Sequence, residues 1–258
     1  MDDRIIFDLM GELTNKSVPR PNLADRGTLS GHAAGEPFEK LAYHILKDAF
    51  PDKIFKQYEY LNDLYLSHPR HITVEDKKAL FNSPVAFFLL SRSDSATKKW
   101  NPENVFEEKQ DDTADILWHE GGSFEIIDVK TRNASKTAMP PNIISAYKLA
   151  QACALMIDNQ DFDSVGINYV EIDWVEDLDE LKCSKACWKK LFNSTPERLY
   201  INWAAAMQIQ FHVSELDQAF CGSREQWARE YIRVFVQSAE ARCKKMYDTY
   251  VEPFKKYL

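Results

Sequence analysis

From about residue 113 onward the chain alternates strand signals with helix signals, and that order leaves few folds open. Ala114 to Trp118 and Ser123 to Thr131 are apolar, β-branched runs on either side of His119-Glu120-Gly121-Gly122, a turn by composition. Asn142, behind Pro140-Pro141, opens a helix that runs to about Ile157 and is apolar over much of its surface, hence buried. Val165 to Trp174 reads as a third strand. Met207, Ile209, Phe211 and Val213 alternate with Gln208, Gln210 and His212, the period of a half-buried strand. The last helix starts at Ser223 with Gln226 completing a capping box, and it stops near Pro253. It turns Trp227, Tyr231, Val234, Ser238 and Ala241 inward. Upstream, Phe38, Leu41, Ala42, Ile45, Leu46 and Ala49 mark one helical face behind Gly35 and Pro37 and before Pro51. Gly27 to Gly35 reads as a flexible loop, and Phe55 to Leu66 and Glu75 to Leu90 as mostly helical. The prediction is an α/β (α+β) fold, a mixed sheet with helices on its faces, in one domain over residues 1–258.

Composition narrows the class. A net charge of −8 argues against indiscriminate nucleic-acid binding, whose usual footprint is a strongly basic face. It leaves room for a specific DNA enzyme, because carboxylates gathered for a metal lower the total and only the local field along the DNA must be positive. No apolar run approaches the roughly 18–20 residues of a membrane span. Met1-Asp2-Asp3-Arg4 lacks the basic lead of a signal peptide, so a cytoplasmic location is expected. Five scattered cysteines, with only Cys183 and Cys187 close together, make a poor zinc signal and read as reduced thiols.

The chemistry concentrates at Thr113-Ala114-Asp115 and, one hairpin later, at Ile126-Ile127-Asp128-Val129-Lys130. The two-residue period of a strand puts Asp128 and Lys130 on one face while Ile127 and Val129 turn to the core. Two carboxylates, Asp115 and Asp128, are hard oxygen ligands that hold Mg²⁺ without caging it, and the Val129 carbonyl between the strand residues is a further candidate ligand. A metal so held stabilises charge on a phosphodiester under attack, and the lysine beside it can orient the attacking water. The tripeptide alone is nearly uninformative: acid-x-Lys occurs at 75–77, 76–78, 107–109, 128–130 and 180–182. Only the 128–130 copy sits in an apolar strand with an acid one hairpin upstream. The other copies fall in charged stretches that read as solvated helix faces or loops. Pattern alone leaves a surface strand with an Asp–Lys pair open beside the nuclease.

Longer blocks go further. Glu107 to Asp115 followed by Asp128 to Asn133, Gly27 to Lys40, Phe55 to Leu64, Pro141 to Gln151 and Tyr200 to Val213 together closely resemble the HincII/HindII family of type II restriction endonucleases, over nearly the whole chain. The resemblance implies the PD-(D/E)xK nuclease fold in its EcoRV-like branch, a restriction-endonuclease-like mixed central sheet flanked by helices. It implies a homodimer acting on palindromic double-stranded DNA, with GTYRAC as the site, a blunt cut at its centre and Mg²⁺ as cofactor. Asp115, Asp128 and Lys130 fall on the family's catalytic motif, in a hairpin spanning about 113–131. Asn142 and Asn202 fall on positions that resemble its base-reading residues, in recognition segments at about 136–146 and 200–213. A cognate DNA methyltransferase acting on the same site is expected. One departure stands out: where the family has Gln-Ala, this chain has Met139-Pro140. The family's glutamine is thought to wedge into the duplex. Methionine could still wedge but lacks the amide, and Pro140 lacks a backbone N–H.

Plainer roles stand beside these. Asn142, after two prolines, would ordinarily be the N-cap of the helix it opens. Asn202, between Ile201 and Trp203, would ordinarily be a hydrogen-bonded asparagine at a strand end. Lys130, Arg132, Lys136 and Lys148 form a basic stretch beside Asp128 that suits DNA phosphates, with Lys136 a DNA contact. His32, His119 and His212 have no spacing that suggests a metal or a triad. The alternatives to a restriction enzyme are a repair or nicking nuclease with the same metal site, and a catalytically idle DNA-binding protein of the same fold.

Overall fold

A computed structural model describes residues 3–21, 31–57, 59–61, 72–90, 113–137 and 139–258. Helix α1 (Asp3–Gly11) and strand β1 (Ser17–Pro19) precede α2 (Gly31–Ala49), β2 (Ile54–Phe55), α3 (Val74–Asn82) and α4 (Pro84–Leu90). The hairpin of β3 (Ile116–Glu120) and β4 (Ser123–Asn133) follows, then β5 (Asn142–Ser145) and α5 (Ala146–Asn159). Last come β6 (Val165–Asp177), β7 (Glu180–Lys190), β8 (Ile201–Asn202), β9 (Gln208–Gln210) and the long α6 (Arg224–Tyr250). Six strands form a mixed sheet in the order β1-β7-β6-β4-β3-β2, and β5-β9-β8 form a small second sheet. This is the expected α+β domain, a mixed central sheet between helices.

At the centre, β4 and β6 run parallel, from Phe124 beside Val165 to Asn133 beside Trp174. A parallel pair needs a crossover, and α5 lies within it. Alternate residues of these strands go to opposite faces. Ile127, Val129, Val170, Ile172 and Trp174 pack with Ile6 and Met10 of α1 and Phe38, Ala42 and Leu46 of α2. Phe124, Ile126, Ile167 and Tyr169 pack with Leu89 of α4, Leu149 and Met156 of α5, and Trp227 and Tyr231 of α6. Cover on both faces is why the central strands read as apolar runs rather than as clean alternation.

Several boundaries depart from the sequence expectation, each for a local reason. The β3–β4 turn is only Gly121-Gly122, at φ 58° and 84°, the paired left-handed conformation that closes a two-residue hairpin. His119 and Glu120 therefore belong to β3. Helix α2 begins at Gly31, with Pro37 inside it. In the second turn a proline forfeits one helical hydrogen bond and need not end the helix. Residues 31–35 of the expected loop are thus helical, while 27–30 lie outside the described residues. Asn142 is not a helix cap. It starts β5, and the cap of α5 is Ser145, whose hydroxyl accepts from Lys148 N at 3.3 Å. Ile143 and Ile144 are β-branched and suit the strand better than a helix start. Phe55 ends β2, and residues 57 and 59–61 are helical. Residues 62–66 lie outside the described residues. Glu75 to Leu90 is helical, as α3 and α4. The 180–182 copy of acid-x-Lys lies in β7, an extended strand and not a loop. The expected 207–213 strand shrinks to Gln208–Gln210, and Val213–Glu215 coils into a short 3₁₀ turn. Helix α6 has the expected capping box of Ser223 and Gln226, and buries Trp227 and Tyr231. Ala241, however, is exposed because the second half of α6 projects beyond the core.

That 3₁₀ turn is tied to the central sheet by a buried acid. Glu171 of β6 is 2% exposed, and its carboxylate accepts from Val213 N at 2.9 Å, Ser214 N at 3.4 Å and Ser214 Oγ at 2.7 Å. Removing it strands buried donors, which costs about 1–3 kcal/mol. Glu171→Ala should lower the unfolding free energy by about that amount in urea titrations, and Glu171→Gln, which keeps one acceptor oxygen, by less. Equal stability of wild type and Glu171→Ala would remove this tie from the account.

Candidate active site

Strand β4 is covered on both faces as far as Val129 and opens beyond it. Asp128 continues the row of Phe124 and Ile126, lies beside Tyr169 of β6, and is 9% exposed. An acid thus occupies the next place in an apolar row. The Lys130 ammonium bonds both its oxygens, at 2.9 Å to Oδ1 and 2.7 Å to Oδ2. Burial pushes the Asp128 carboxyl well above the usual range. Lys130 opposes the rise, and the neighbouring Asp115 charge adds to it. Burial alone would lower Lys130, but Asp128, Asp115 and, from α2, Glu39 outweigh it and raise the ammonium's pKa. Expected from sequence, the trio of Asp115, Asp128 and Lys130 is together in the fold.

Asp115 arrives by a different route. The β3–β4 ladder ends at Ile116 opposite Ile127. Val129 has no β3 partner, and its N–H donates instead to Asp115 Oδ2 at 2.7 Å. The segment before Asp115 hangs on Gln57, which is 1% exposed. Gln57 Oε1 accepts from Thr113 N at 3.0 Å and Ala114 N at 2.8 Å, and its Nε2 donates to Leu90 O at 2.8 Å. Thr113 Oγ1 donates to Leu89 O at 2.6 Å and accepts from Lys148 Nζ at 2.6 Å. Sequence reasoning missed Gln57. A lone glutamine among charged neighbours carries no signal until the fold brings it under residue 113.

The expected DNA-contact residues lie on the small sheet and its approach. Asn142 is exposed on β5, Asn202 is half-buried on β8, and Gln210 of β9 stands between them. Gln210 Oε1 accepts from Asn202 Nδ2 at 2.7 Å, and Gln210 Nε2 donates to Asn142 Oδ1 at 2.7 Å. The structure therefore joins the two asparagines through a residue that the sequence singled out only for its place in an alternating strand. Met139 is 80% exposed, Pro140 is partly exposed and Lys136 is exposed, all between β4 and β5. Arg132 differs from its basic neighbours: Asp173 holds its guanidinium at both ends, at 2.8 and 2.6 Å. Lys148 points to Thr113, so of the basic stretch Lys130, Arg132 and Lys148 are tethered and Lys136 is exposed.

The family model for restriction endonuclease HincII matches residues 9–258. The chain belongs to the HincII restriction endonuclease family. It is 57% identical over 254 residues to the type II restriction enzyme HindII of Haemophilus influenzae, covering 98% of this chain and 97% of that one. To the type II restriction enzyme HincII, also of Haemophilus influenzae, it is 56% identical over the same shares. No helix among the described residues is long and apolar enough to cross a membrane.

For a member of this family, the arrangement suits a divalent cation. Two acids share one patch at the mouth of an apolar strand, and their mutual repulsion adds to the rise that burial gives Asp128. A bound cation would relieve that repulsion. Among the described residues no third His, Cys, Asp or Glu completes a cage around them. Hard-cation sites of this kind leave places for water and phosphate oxygens.

The raised Asp128 carboxyl has a measurable consequence. An acid whose pKa rises on folding weakens the fold once it must ionise. The penalty is absent below the unfolded value of about 3.9 and grows as pH rises from there until the folded group has also ionised. Asp128→Asn carries no such charge. It should melt a few degrees above wild type at pH 7 without divalent ions, since about 1 kcal/mol moves the midpoint of a chain this size by roughly 2–4 °C. The gap should close toward pH 4, and Mg²⁺ or Ca²⁺ should raise wild type more than Asp128→Asn. Coincident melting at both pH values, with no cation effect on wild type, would contradict the electrostatic account.

Proposed function

We propose that this chain works as a homodimeric type II restriction endonuclease, hydrolysing both strands of duplex DNA at the centre of GTYRAC with Mg²⁺ as cofactor. Cleavage leaves blunt ends bearing 5′-phosphate and 3′-hydroxyl groups. The observation that carries this is the buried Asp128 against Asp115, with Lys130 bonded to it, at the open end of β4. The kinship with HindII and HincII points the same way. A palindrome presents two half-sites related by a dyad, which a twofold dimer matches. A cognate methyltransferase protecting the same site in the host belongs to the proposal.

Asp115, Asp128 and the Val129 carbonyl are the groups that would hold the metal. When bound, it would neutralise charge at the scissile phosphate and lower the pKa of a water. Asp115 is aimed by its bond to the Val129 amide and by the Gln57 brace, so its position is fixed before DNA arrives. Lys130 lies along the strand from Asp128, where its ammonium can donate to a phosphate oxygen or to the attacking water and favour the hydroxide form. Asn142 and Asn202 read bases from the small sheet, and Lys136 meets phosphate. Exposed Met139 stands where the family's wedging glutamine stands, and Pro140 beside it offers no N–H to base or phosphate.

Catalysis and binding should separate. Lys130→Ala and Asp128→Ala should lose several orders of magnitude in single-turnover cleavage yet still shift a GTYRAC duplex in a gel. Substantial cleavage by either would remove these residues from the chemistry. Plasmid digestion with and without Mg²⁺ distinguishes the reading from its rivals: discrete double-strand fragments support it, whereas nicks alone, or no cleavage, would replace it with a nicking enzyme or an idle binder.

Met139 makes a finer test. A methionine wedge fills space by dispersion but cannot replace an amide hydrogen bond, worth about 0.5–1.5 kcal/mol net. Pyrimidine–purine steps kink easily, so the wedge acts through DNA deformation at the centre and flanks. Met139→Gln should therefore keep the outer bases of the site while reordering central and flanking variants by roughly tenfold or less. Identical ranking in both proteins, measured on a library randomised at the centre and flanks, would exclude the wedge.

A further inference from the structure

The bonds around Gln210 fix more than distance; they fix polarity. Asn202 Oδ1 accepts from Ala204 N at 3.0 Å and Ala205 N at 3.2 Å. A backbone N–H can only donate, so the oxygen end of Asn202 must face its own turn, and the amino end must face away. One N–H of that amino group donates to Gln210 Oε1. This orients the Gln210 amide, whose amino end then points at Asn142 and donates to its Oδ1. Asn142 is exposed, and its oxygen is taken. Among the described residues its amino group makes no hydrogen bond, so it is free to donate. Orientation thus passes from the backbone at 204–205 through Asn202 and Gln210 to Asn142, and the free ends along this row are N–H donors.

We propose that Gln210 is the positioning residue that carries the donor polarity of Asn202 on to Asn142, so that both asparagines meet acceptor edges of the bases. In the major groove those acceptors are guanine O6 and N7, adenine N7 and thymine O4. The outer G and T of the proposed site both offer such groups. The inference rests on the base-reading role proposed above for Asn142 and Asn202. Gln210 itself need not touch DNA. It acts by denying Asn142 the flipped orientation, in which an oxygen would meet the base and select donors such as cytosine N4.

Two variants break the row at different points. In Gln210→Glu one carboxylate oxygen can still accept from Asn202, but the other would face Asn142 Oδ1 with no proton to share. Asn142 should turn its amino group inward and present its oxygen to the DNA. In Gln210→Met both bonds vanish. Each is measured as relative cleavage and binding across duplexes substituted one base pair at a time, beside Asn142→Ala and Asn202→Ala, which identify the pair each asparagine reads. Gln210→Glu should reduce preference by roughly tenfold or more at the pair that Asn142 reads, and leave the Asn202 pair as in wild type. Gln210→Met should relax preference at the Asn142 pair and leave the Asn202 pair, whose asparagine the 204–205 amides still orient, as in wild type. A role in folding alone would lower melting and weaken all sequences together without reordering them. The inference is overturned if both Gln210 variants keep the wild-type base ranking while the asparagine variants change it. If the asparagine variants also keep the ranking, the base-reading role itself falls and takes this inference with it. Should Gln210→Met not fold, Gln210→Glu, which keeps the Asn202 bond, decides alone.

Discussion

Asp128 sits where an aliphatic residue would otherwise sit, and the open end of β4 is arranged around that unfavourable position. The row Phe124, Ile126, Asp128 runs from full cover to the edge of cover along one face of β4. A carboxylate placed there loses hydration and must find compensation from the protein. Lys130 gives part of it, yet the Asp128 carboxyl remains pushed well up, because burial outweighs that help and Asp115 adds a second negative charge in the same place. Such strain in electrostatic energy persists only if the surrounding structure over-determines it. Here the over-determination is the parallel pairing of β4 with β6, packed on both faces, which holds Asp128, while the Val129 amide holds Asp115 beside it.

The second acid needs a scaffold of its own, since the ladder ends one residue before it. Gln57 supplies two acceptor bonds to consecutive backbone amides and anchors itself on the end of α4. An amide suits this task better than an acid. Its oxygen satisfies Thr113 and Ala114 while its nitrogen satisfies Leu90, and no net charge is buried beside the carboxylates. The small sheet uses amides in the same manner: Asn202, Gln210 and Asn142 interlock without charge. Neutral polar rows fix orientation at low desolvation cost.

Much of this was legible in the sequence, for physical reasons that can be named. Asp115, Asp128 and Lys130 stood out because a glycine turn fixes the hairpin and a two-residue period fixes the face. The α6 start was legible because a capping box is a local signal that needs no tertiary partner. The start of α5 was not. Asn142 and Ser145 are both good caps, and only the pairing of Asn142 and Ile144 with β9 decides between them. Strand β7 escaped because it is lysine-rich and lies on the less-covered side of the sheet, where burial leaves little imprint on composition. Gln57 and Gln210 escaped for a related reason: what each does depends on partners tens of residues away, and a single amide side chain looks alike in a loop, a core or a reading surface.

Two short links bind the small sheet to the central strands. At one end, Lys148 in the first turn of α5, just after β5, reaches Thr113, two residues before Asp115. At the other, the Val213–Ser214 turn, just beyond Gln210, is held by Glu171, whose register partner on β4 is Lys130. Each link is a side-chain bond within a few residues of both an amide row and one of the clustered groups Asp115 and Lys130. Neither passes through a long loop that could absorb a displacement. A shift of the small sheet relative to β4 would have to strain bonds at both ends, and packed interiors resist such shear. In the function proposed, base contacts on β5 and β8 would place the phosphate at Asp115, Asp128 and Lys130 through a nearly rigid lever. For an enzyme that must cut at one point in a sequence, that is the mechanical requirement: where the bases sit determines where the bond breaks.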